Sequence, residues 1–268
     1  MRGIAWNCRG LGHTSTVQEL KSLIRSRAPD FLFLTELKVD ANPLVRILKS
    51  LHFYYNICVP SRGNAGGIIL AWKVGFIFEC ISCSCNHISG IVYSDPASHP
   101  WFLSCVYGPP YLHAKKKFWS EFLKIGDRFG GPWLILGDTN FVLNASKREG
   151  SSGRDPFIPI ISNLMDTRGL IIMSIQGDNL TWDNHRSGRL HVKSALDKGL
   201  VNGAWLNLFP RAILCSTQTS NSDHRPLCLL SDGPATKVKR FFKFEEGWTR
   251  DPRSNLVVAN AWKSVNHN

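Results

Sequence analysis

The sequence predicts an α+β fold in which two β-sheets pack face to face and helices flank them. Short apolar runs typical of buried strands dominate the chain, and segments with apolar residues at helical spacing alternate with them. No repeat of fixed period is present in the sequence. The 268 residues, 43% of them hydrophobic, are enough to bury a sizeable core.

The amino-terminal half is predicted to begin with a strand and a helix. The run at residues 3–7 is apolar, and residues 16–28 carry apolar side chains at helical spacing until Pro29 ends the pattern. In chain order, the next elements are a strand at 30–36, a helix at 43–53, a glycine-containing turn at 61–67 and strands at 68–72, 75–85, 87–95 and 101–110.

The carboxyl-terminal half continues with two further helices and several strands. Residues 115–129 form an amphipathic helical pattern with Phe118, Phe122 and Ile125 on one side, and an apolar strand at 132–140 ends in an acidic loop. The remaining segments are a helix at 159–171 and strand-like segments at 179–185, 190–202 and 212–231.

The pattern breaks at Asp232, which predicts one domain over residues 1–231 and a basic extension over residues 232–268. The extension is expected to be partly helical or disordered, and either to bind nucleic acid or to be only a linker. With 32 Lys and Arg against 20 Asp and Glu, the chain carries a formal net charge of +12. This excess favours a polyanionic partner such as nucleic acid, with ordinary solubilising charge as the alternative.

The sequence gives no sign of a membrane segment or an export signal. No stretch approaches the roughly 20 uninterrupted apolar residues that a membrane helix needs. The amino terminus reaches Asn7 and Arg9 before an apolar run develops. We therefore expect an intracellular protein without a membrane partner. The basic run at residues 237–240 is too short to identify a targeting signal.

Eight cysteines in such a chain are expected to be buried thiols rather than disulfides. The group Cys80, Cys83, Cys85 and His87 contains the ligand types of a zinc site. However, Cys83 and Cys85 alternate with serines, which favours a strand with one face inward.

Polar side chains follow several predicted strands at the point where each strand ends. They are Asn7, Glu36, Tyr107, Asp138, Asn140, Asp197, Asp223 and His224. Singly, each is commonly a turn or loop residue, but a sandwich could bring them to one rim. Carboxylate and amide oxygens suit Mg²⁺, and one histidine among carboxylates suits acid–base chemistry. The set therefore indicates metal-assisted phosphodiester hydrolysis.

Seven motifs, six of which contain these residues, occur in a specific order. They are WNCRG at 6–10, FLTELK at 33–38, VYGPP at 106–110, LILGDTN at 134–140, LTW at 180–182, LDKGLVN at 196–202 and SDHRPL at 222–227. In this order they resemble the endonuclease/exonuclease/phosphatase superfamily, which includes exonuclease III-like apurinic endonucleases and deoxyribonuclease I. The wording is most similar to the endonuclease domain of plant LINE-type non-LTR retrotransposons, and the resemblance covers residues 1–231. Residues 240–262 resemble the segment that precedes the reverse transcriptase in those elements.

The resemblance implies a deoxyribonuclease I-like, four-layer α/β/β/α fold and a Mg²⁺ cofactor, with Mn²⁺ as a substitute. Glu36 would be the principal metal ligand, supported by Asn7 and Asp223. DNA would be the substrate of a chain that is expected to act as a monomer. A nuclear location would follow from that substrate.

The remaining residues of the set would handle water and phosphate. Asp138 would orient or deprotonate the attacking water or serve the leaving oxygen, Asn140 would position the phosphate, and Tyr107 would hydrogen-bond it. His224, paired with Asp197, would stabilise charge on the phosphoryl oxygens or act as an acid–base partner. Whether Asp138 or His224 is the general base stays open.

DNA-contact candidates are Arg9, Arg186 and Arg189, of which the last two lie in a glycine-containing loop that is alternatively only solvated. Trp72 and Trp182 lie in apolar strand segments and are expected to pack in the core, with base stacking as the alternative.

The chain departs from the family pattern at several positions. Arg9 stands where many relatives carry an acidic residue, and Ala195 and Lys198 stand where arginines are common. Pro109 and Pro110 follow the VYG motif where apurinic endonucleases use an asparagine, which argues against recognition of abasic DNA.

The leading interpretation is a Mg²⁺-dependent endonuclease that nicks DNA and derives from a non-LTR retrotransposon. The sequence contains no aspartate pair of the reverse-transcriptase type, so a fragment or a domesticated derivative of such an element is expected. One alternative is an inactive nucleic-acid-binding remnant. Another is a phosphoesterase acting on small substrates such as inositol phosphates or sphingomyelin.

Overall fold

The computed structural model describes residues 1–61, 66–143, 148–150 and 155–233, together with residue 254. The chain divides into two compact units, Met1–Pro234 and Ala235–Asn268. Apart from residue 254, which is helical, the second unit lies outside the described residues. The domain boundary after residue 231 and the role of the extension therefore stay predictions.

The described residues form sixteen strands and five α-helices. The strands are β1 (Arg2–Asn7), β2 (Phe31–Thr35), β3 (Tyr55–Val59), β4 (Ile68–Trp72), β5 (Phe78–Cys83), β6 (His87–Val92), β7 (Trp101–Tyr107), β8 (Trp133–Asp138), β9 (Arg148–Glu149), β10 (Leu170–Ile172), β11 (Ile175–Gln176), β12 (Trp182–Asp183), β13 (Lys193–Ser194), β14 (Asp197–Asn202), β15 (Ile213–Ser216) and β16 (Leu227–Leu230). The helices are α1 (Thr14–Arg27), α2 (Ala41–Ser50), α3 (Leu112–Phe129), α4 (Ile158–Asp166) and α5 (Gly203–Leu208). Among these helices, none combines the length and apolarity needed to span a membrane.

Two large mixed sheets form the centre of the first unit. The first has seven strands in the order β11-β15-β16-β1-β2-β4-β3, and the second has six in the order β10-β14-β8-β7-β6-β5. A small third sheet has the order β12-β13-β9. Each large sheet contains a parallel pair at its centre, β1 with β2 in the first and β7 with β8 in the second.

Three apolar clusters define a four-layer arrangement. One cluster lies between the sheets and contains Phe31, Phe33 and Leu70 from the first sheet with Leu103 and Leu134 from the second. A second cluster packs α1 and α2 onto the outer face of the first sheet, and a third packs α3 and α4 onto the outer face of the second. Because both faces of the central strands are covered, β1, β2, β4, β7 and β8 are apolar almost throughout. The predicted two-sheet sandwich with flanking helices is confirmed.

Some local predictions were wrong. Residues 159–171 were expected to be one helix, but α4 ends at Asp166 and residues 170–172 form β10, which pairs with β14 at the edge of the second sheet. The strand β3 and the short helix α5 were not predicted. Pairing with a distant strand, which local periodicity does not report, decides the structure of β10.

The expectation that the cysteines are buried holds for Cys8, Cys105 and Cys228 but is wrong for Cys80 and its neighbours in sequence. Cys80, Cys83 and Cys85 are all exposed thiols. The strand β5 lies at the edge of its sheet, and an irregularity between Cys80 and Ser82 breaks the alternation of its two faces. Among the described residues, these cysteines form no cluster suited to a metal ion.

The last strand position before Asp138 requires glycine. Gly137 has φ +138°, and a Cβ there would lie 2.3 Å from the carbonyl oxygen of Val106 on β7. We expect Gly137→Ala to lower the free energy of unfolding by about 2–4 kcal/mol, because it adds backbone strain and a clash between two central strands. Urea denaturation measures the change.

The matched control is Gly203→Ala at the start of α5, where a new Cβ meets no described atom within 4 Å. This variant should be as stable as the unmodified protein or slightly more stable. Equal stability of both variants would contradict the requirement at residue 137.

Candidate active site

The predicted site residues come from both large sheets. Asn7 ends β1 and Glu36 follows β2, its parallel neighbour, while Tyr107 and Asp138 end the parallel neighbours β7 and β8. The carboxyl ends of parallel neighbours meet at the same edge of a sheet. The two central pairs therefore deliver four polar side chains to one rim of the sandwich.

Three further residues reach this rim from other elements. Asp197 begins β14 and pairs with the last residue of β8. Asp223 and His224 lie in the loop before β16, where the hydroxyl of Ser222 accepts a hydrogen bond from the His224 backbone N–H at 3.0 Å and donates to the carbonyl of Asn7 at 2.7 Å. This loop is thereby fixed against the end of β1.

Glu36 is the most strongly paired carboxylate of the site. Its Oε1 accepts hydrogen bonds from the side-chain amide of Asn7 at 3.0 Å and from the hydroxyl of Tyr107 at 3.1 Å. Its Oε2 lies 3.3 Å from Arg9 and 2.9 Å from Lys38. Burial by itself raises the pKa of Glu36, but these hydrogen bonds and positive charges outweigh it and lower the pKa to about 2. Glu36 is therefore ionised at physiological pH.

Asp138 lies at the centre of the site and is buried. Its Oδ2 accepts hydrogen bonds from the side-chain amides of Asn7 at 3.0 Å and Asn140 at 3.2 Å, and its Oδ1 accepts one from the Asn140 backbone at 3.0 Å. Burial raises the pKa of Asp138, His224 lowers it, and Asp197 raises it again, with a net result of about 6. The pKa of Asp138 is thus well above that of Glu36, although both carboxylates belong to one site.

His224 lies between two buried carboxylates. Its Nδ1 is 3.0 Å from Oδ2 of Asp197, and its Nε2 is 3.8 Å from Oδ2 of Asp138. Burial lowers the pKa of His224, but the charges of Asp197 and Asp138 outweigh this and raise it to about 9. His224 is therefore an imidazolium at neutral pH, with Asp197 fixing the orientation of its ring.

Asp223 is held by two donors on one oxygen. Its Oδ2 accepts hydrogen bonds from the indole of Trp182 at 2.9 Å and from Arg9 at 2.8 Å. Its Oδ1 is buried and has no hydrogen-bond partner among the described residues. Trp72 is buried as predicted, but Trp182 is only partly buried, lines the cleft and positions Asp223, so the prediction that it packs in the core is wrong.

The chain turns sharply around these side chains. Arg9, Glu36, Lys38 and Asn140 all have φ between 52° and 55°, in the left-handed region that non-glycine residues avoid. Such residues cost about 1–2 kcal/mol each and persist where the surroundings hold them. Here the hydrogen bonds of Glu36 and Asn140 hold two of the four turns in place.

The site opens into a cleft of about 510 Å³ with cations along it. Lys38, Lys115 and Arg148 line the cleft together with the carboxylates. Burial lowers the pKa of Lys115, while the charge of Asp155 opposes that shift. Sequence reasoning did not single out these three cations, although Lys38 lies two residues from Glu36 and Lys115 begins a run of three lysines.

The three predicted DNA-contact residues lie in two different parts of the structure. Arg186 and Arg189 are exposed on the hairpin loop between β12 and β13, and Arg189 lies within a 3₁₀ turn at Gly188–Leu190. Arg9 lies inside the site, between Glu36 and Asp223. Contact of these three arginines with DNA stays a prediction.

Lys198 connects the two loops that adjoin Asp138 at the end of β8 and Asp197 at the start of β14. Its buried ammonium donates hydrogen bonds to the backbone carbonyls of Phe141 and Ala195, and to the hydroxyl of Thr139 at 3.1 Å. It also lies 4.7 Å from the centre of the Phe141 ring. A buried ammonium is tolerated because several oxygens surround it. The lysine thus connects the loop after β8 with the loop before β14.

The side chains present fit a hard divalent cation. Glu36 and Asp223 are ionisable oxygen ligands on either side of Arg9, Asn7 adds an amide, and Asp223 has a buried oxygen without a partner among the described residues. This is the ligand chemistry that Mg²⁺ prefers. Asp138, Asp197 and His224 also offer ligand atoms within 4.8 Å of one another. Because Asp197 and His224 already bond to each other, that group is better suited to handling protons.

The sequence of this chain matches the model of a known protein family. The model of the family described as "Endonuclease/Exonuclease/phosphatase family" matches residues 4–211. This span contains Asn7 through Asp197 and ends before Asp223. No curated protein shows significant sequence similarity to the chain.

Solved structures share the fold at low sequence identity. The endonuclease domain of TRAS1, a telomere-specific non-LTR retrotransposon, is 16% identical with a TM-score of 0.62, over 85% of this chain and 96% of that one. The 3′ phosphatase NExo from Neisseria, bound to a product DNA hairpin, is 18% identical with a TM-score of 0.62, over 86% and 98%. An AP endonuclease from Archaeoglobus fulgidus is 14% identical with a TM-score of 0.64, over 87% and 99%. The predicted four-layer architecture is therefore that of known nucleases.

The pairing of His224 with Asp197 predicts a pH dependence. We expect the Asp197→Asn variant to lower the pKa of His224 from about 9 by more than about one unit, because burial stays while a compensating charge is lost. The raised pKa also means that the contribution of His224 to stability is complete below pH 6.5 and disappears as the pH rises through 9.

Titration of the imidazole resonances by NMR measures this change. The control is His87, a buried histidine whose pKa burial lowers to about 4, and it should titrate identically in both proteins. An unchanged His224 midpoint in Asp197→Asn would contradict the assigned pairing.

The contacts of Lys198 predict a large loss of stability when its charge is removed. We expect Lys198→Met to lower the free energy of unfolding by about 3–5 kcal/mol, since it leaves several buried oxygens without their donor. Chemical denaturation measures this loss, and Lys198→Arg, which restores the donors, should recover part of it. A stable Lys198→Met variant would show that the loops do not depend on the ammonium.

Proposed function

The chain belongs to the endonuclease/exonuclease/phosphatase family, and on that premise we propose that it is a divalent-metal-dependent endonuclease that nicks DNA. The observation that carries the proposal is the position of two sets of groups in one open cleft. Glu36 and Asp223 form an oxygen-rich cation site, and Asp138 with His224 forms a proton-handling site beside it.

Glu36, Asp223 and Asn7 are the residues that would hold the metal ion. A bound divalent ion polarises a phosphate oxygen and stabilises the charge that develops during hydrolysis. The low pKa of Glu36 keeps its carboxylate available as a ligand over the physiological pH range. Tyr107, whose pKa burial and the charge of Glu36 raise, stays protonated and donates its hydroxyl hydrogen bond.

Asp138 is our choice for the general base. Its pKa near 6 leaves it ionised in most molecules at pH 7, and a base with a pKa close to the working pH is effective. His224 is already protonated at that pH and is better suited to donate a hydrogen bond to a phosphoryl oxygen. Asn140, beside Asp138, would position the phosphate.

DNA is the substrate that the charge distribution favours. The chain has a net charge of +12, and Lys38, Lys115 and Arg148 line the cleft. Arg186 and Arg189 on the exposed hairpin would add phosphate contacts. NExo, which shares the fold, has been solved with a DNA hairpin, and that likeness supports the same class of substrate.

An origin in a non-LTR retrotransposon of the plant LINE type is the evolutionary part of the proposal. The order of sequence motifs supports it, as does the shared fold with the TRAS1 endonuclease domain. Action as a monomer in the nucleus follows from this proposal and from its DNA substrate.

Nicking of supercoiled plasmid DNA tests the function. The purified chain should convert supercoiled plasmid to open circles with Mg²⁺ or Mn²⁺, and EDTA should stop the reaction. Glu36→Gln should lower the rate by about 10²-fold or more while DNA affinity persists, because it removes a charged metal ligand and no surface cation. The matched control is Glu121→Gln on the exposed side of α3, which should cut at the unmodified rate.

The other outcomes identify the alternative functions. A folded protein that binds plasmid but does not cut it in any divalent metal would be a nucleic-acid-binding remnant. Release of phosphate from inositol phosphates or hydrolysis of sphingomyelin, without plasmid nicking, would identify a small-substrate phosphoesterase.

A further inference from the structure

Arg9 lies where the proposed metal ion would bind. Its guanidinium bridges the two carboxylates of that site, with Nη1 3.3 Å from Oε2 of Glu36 and Nη2 2.8 Å from Oδ2 of Asp223. Lys38 contacts Glu36 alone, at 2.9 Å. Arg9 is thus the cation that joins the two ligands, among the residues that the structure describes.

The bridge has a physical cause. The side chains of Glu36 and Asp223 are 9% and 12% exposed, so their charges are largely removed from water. Carboxylates in such surroundings need a compensating cation nearby. Arg9 supplies it, and the acidic residue that many relatives carry at this position would have added a third negative charge instead.

A divalent ion held by Glu36 and Asp223 would place a second cation beside this guanidinium. The two positive charges would repel each other and compete for the same two carboxylates, whose Oε2 and Oδ2 atoms Arg9 contacts. From this geometry we propose that Arg9 is a built-in counter-ion that bridges Glu36 and Asp223 and leaves this position when a metal ion binds. The inference rests on the proposed function, because it concerns the same metal site.

Arg9 is well placed to leave. Its side chain is 45% exposed, in contrast to the carboxylates it bridges. Its backbone is in the left-handed region at φ 55° and is followed by Gly10 at φ 120°, so the residue sits on a turn rather than in a strand. Among the described residues, its guanidinium has hydrogen bonds only to Glu36 and Asp223.

Metal affinity is then set by competition within the chain. Each metal ion that binds must break the two ion pairs of Arg9, and the apparent dissociation constant is the intrinsic one divided by the fraction of molecules in which Arg9 has left the bridge. In return, the ion pairs of Arg9 hold Glu36 and Asp223 in place and compensate their charges. Arg9 thereby lowers the affinity for the metal ion but keeps its carboxylate ligands positioned.

Direct metal binding tests the inference without relying on catalysis. Titration with Mn²⁺, followed by electron paramagnetic resonance of the free ion, gives the dissociation constant in the absence of DNA. We expect Arg9→Gln to bind Mn²⁺ about tenfold more tightly than the unmodified protein, because the competing charge is gone while a hydrogen-bond donor is kept. Arg9→Lys should bind with intermediate affinity, since one ammonium does not bridge both carboxylates as a guanidinium does.

The control for net charge is Arg128→Ala on the exposed end of α3. It removes the same formal charge and should leave the Mn²⁺ affinity unchanged. Thermal unfolding provides the second measurement: in EDTA, Arg9→Gln should melt at a lower temperature than the unmodified protein, and added Mn²⁺ should reverse the difference. Both results together support displacement.

Two results overturn the inference and are distinguishable from failure of the proposed function. Equal or weaker Mn²⁺ affinity in Arg9→Gln, with normal binding by the unmodified protein, shows that Arg9 does not compete. An equal gain in Arg128→Ala shows that only net charge matters. If neither the unmodified protein nor Arg9→Gln binds Mn²⁺, the metal site of the proposed function is itself wrong.

Discussion

The burial of charged groups at the junction of two sheets is the constraint on which the site depends. Asp138 is buried at the end of β8, and the amide of Asn7 at the end of β1 donates 3.0 Å hydrogen bonds to both Asp138 and Glu36. Buried carboxylates are costly without such donors. The ends of β1, β2 and β8 therefore have to stay in register, and the packed core between the sheets supplies that rigidity.

The same burial gives the ionisable side chains of the site different pKa values. Glu36 receives donors and cations on both oxygens and has a pKa of about 2, whereas Asp138, more deeply buried, has a pKa near 6. His224, between Asp138 and Asp197, has a pKa near 9. Environments that separate pKa values in this way support the proposed roles of Glu36 as metal ligand, Asp138 as base and His224 as proton donor.

Two residues at which this chain departs from the family pattern make specific contacts in the site. Lys198, in place of a common arginine, binds the carbonyls of Phe141 and Ala195 and fastens two loops of the site. Arg9, in place of a common acidic residue, compensates the charges of Glu36 and Asp223. From the sequence alone, both look like losses. Their contacts show that both side chains hold neighbouring groups of the site in place.

The sequence by itself determined the fold class and the residues that gather at the rim. Apolar runs and helical spacing indicate which faces of the strands and helices are buried. The polar residues at the strand ends can also be read from the sequence, and the packing of the sheets brings them together. The sequence does not show which elements pack against or pair with one another. Only the tertiary structure paired Arg9 with Asp223, placed Trp182 against that carboxylate, ended α4 before β10 and exposed Cys80 on an edge strand. These features depend on contacts between residues far apart in the chain, and pKa values depend on the same distances and burial, which no local pattern encodes.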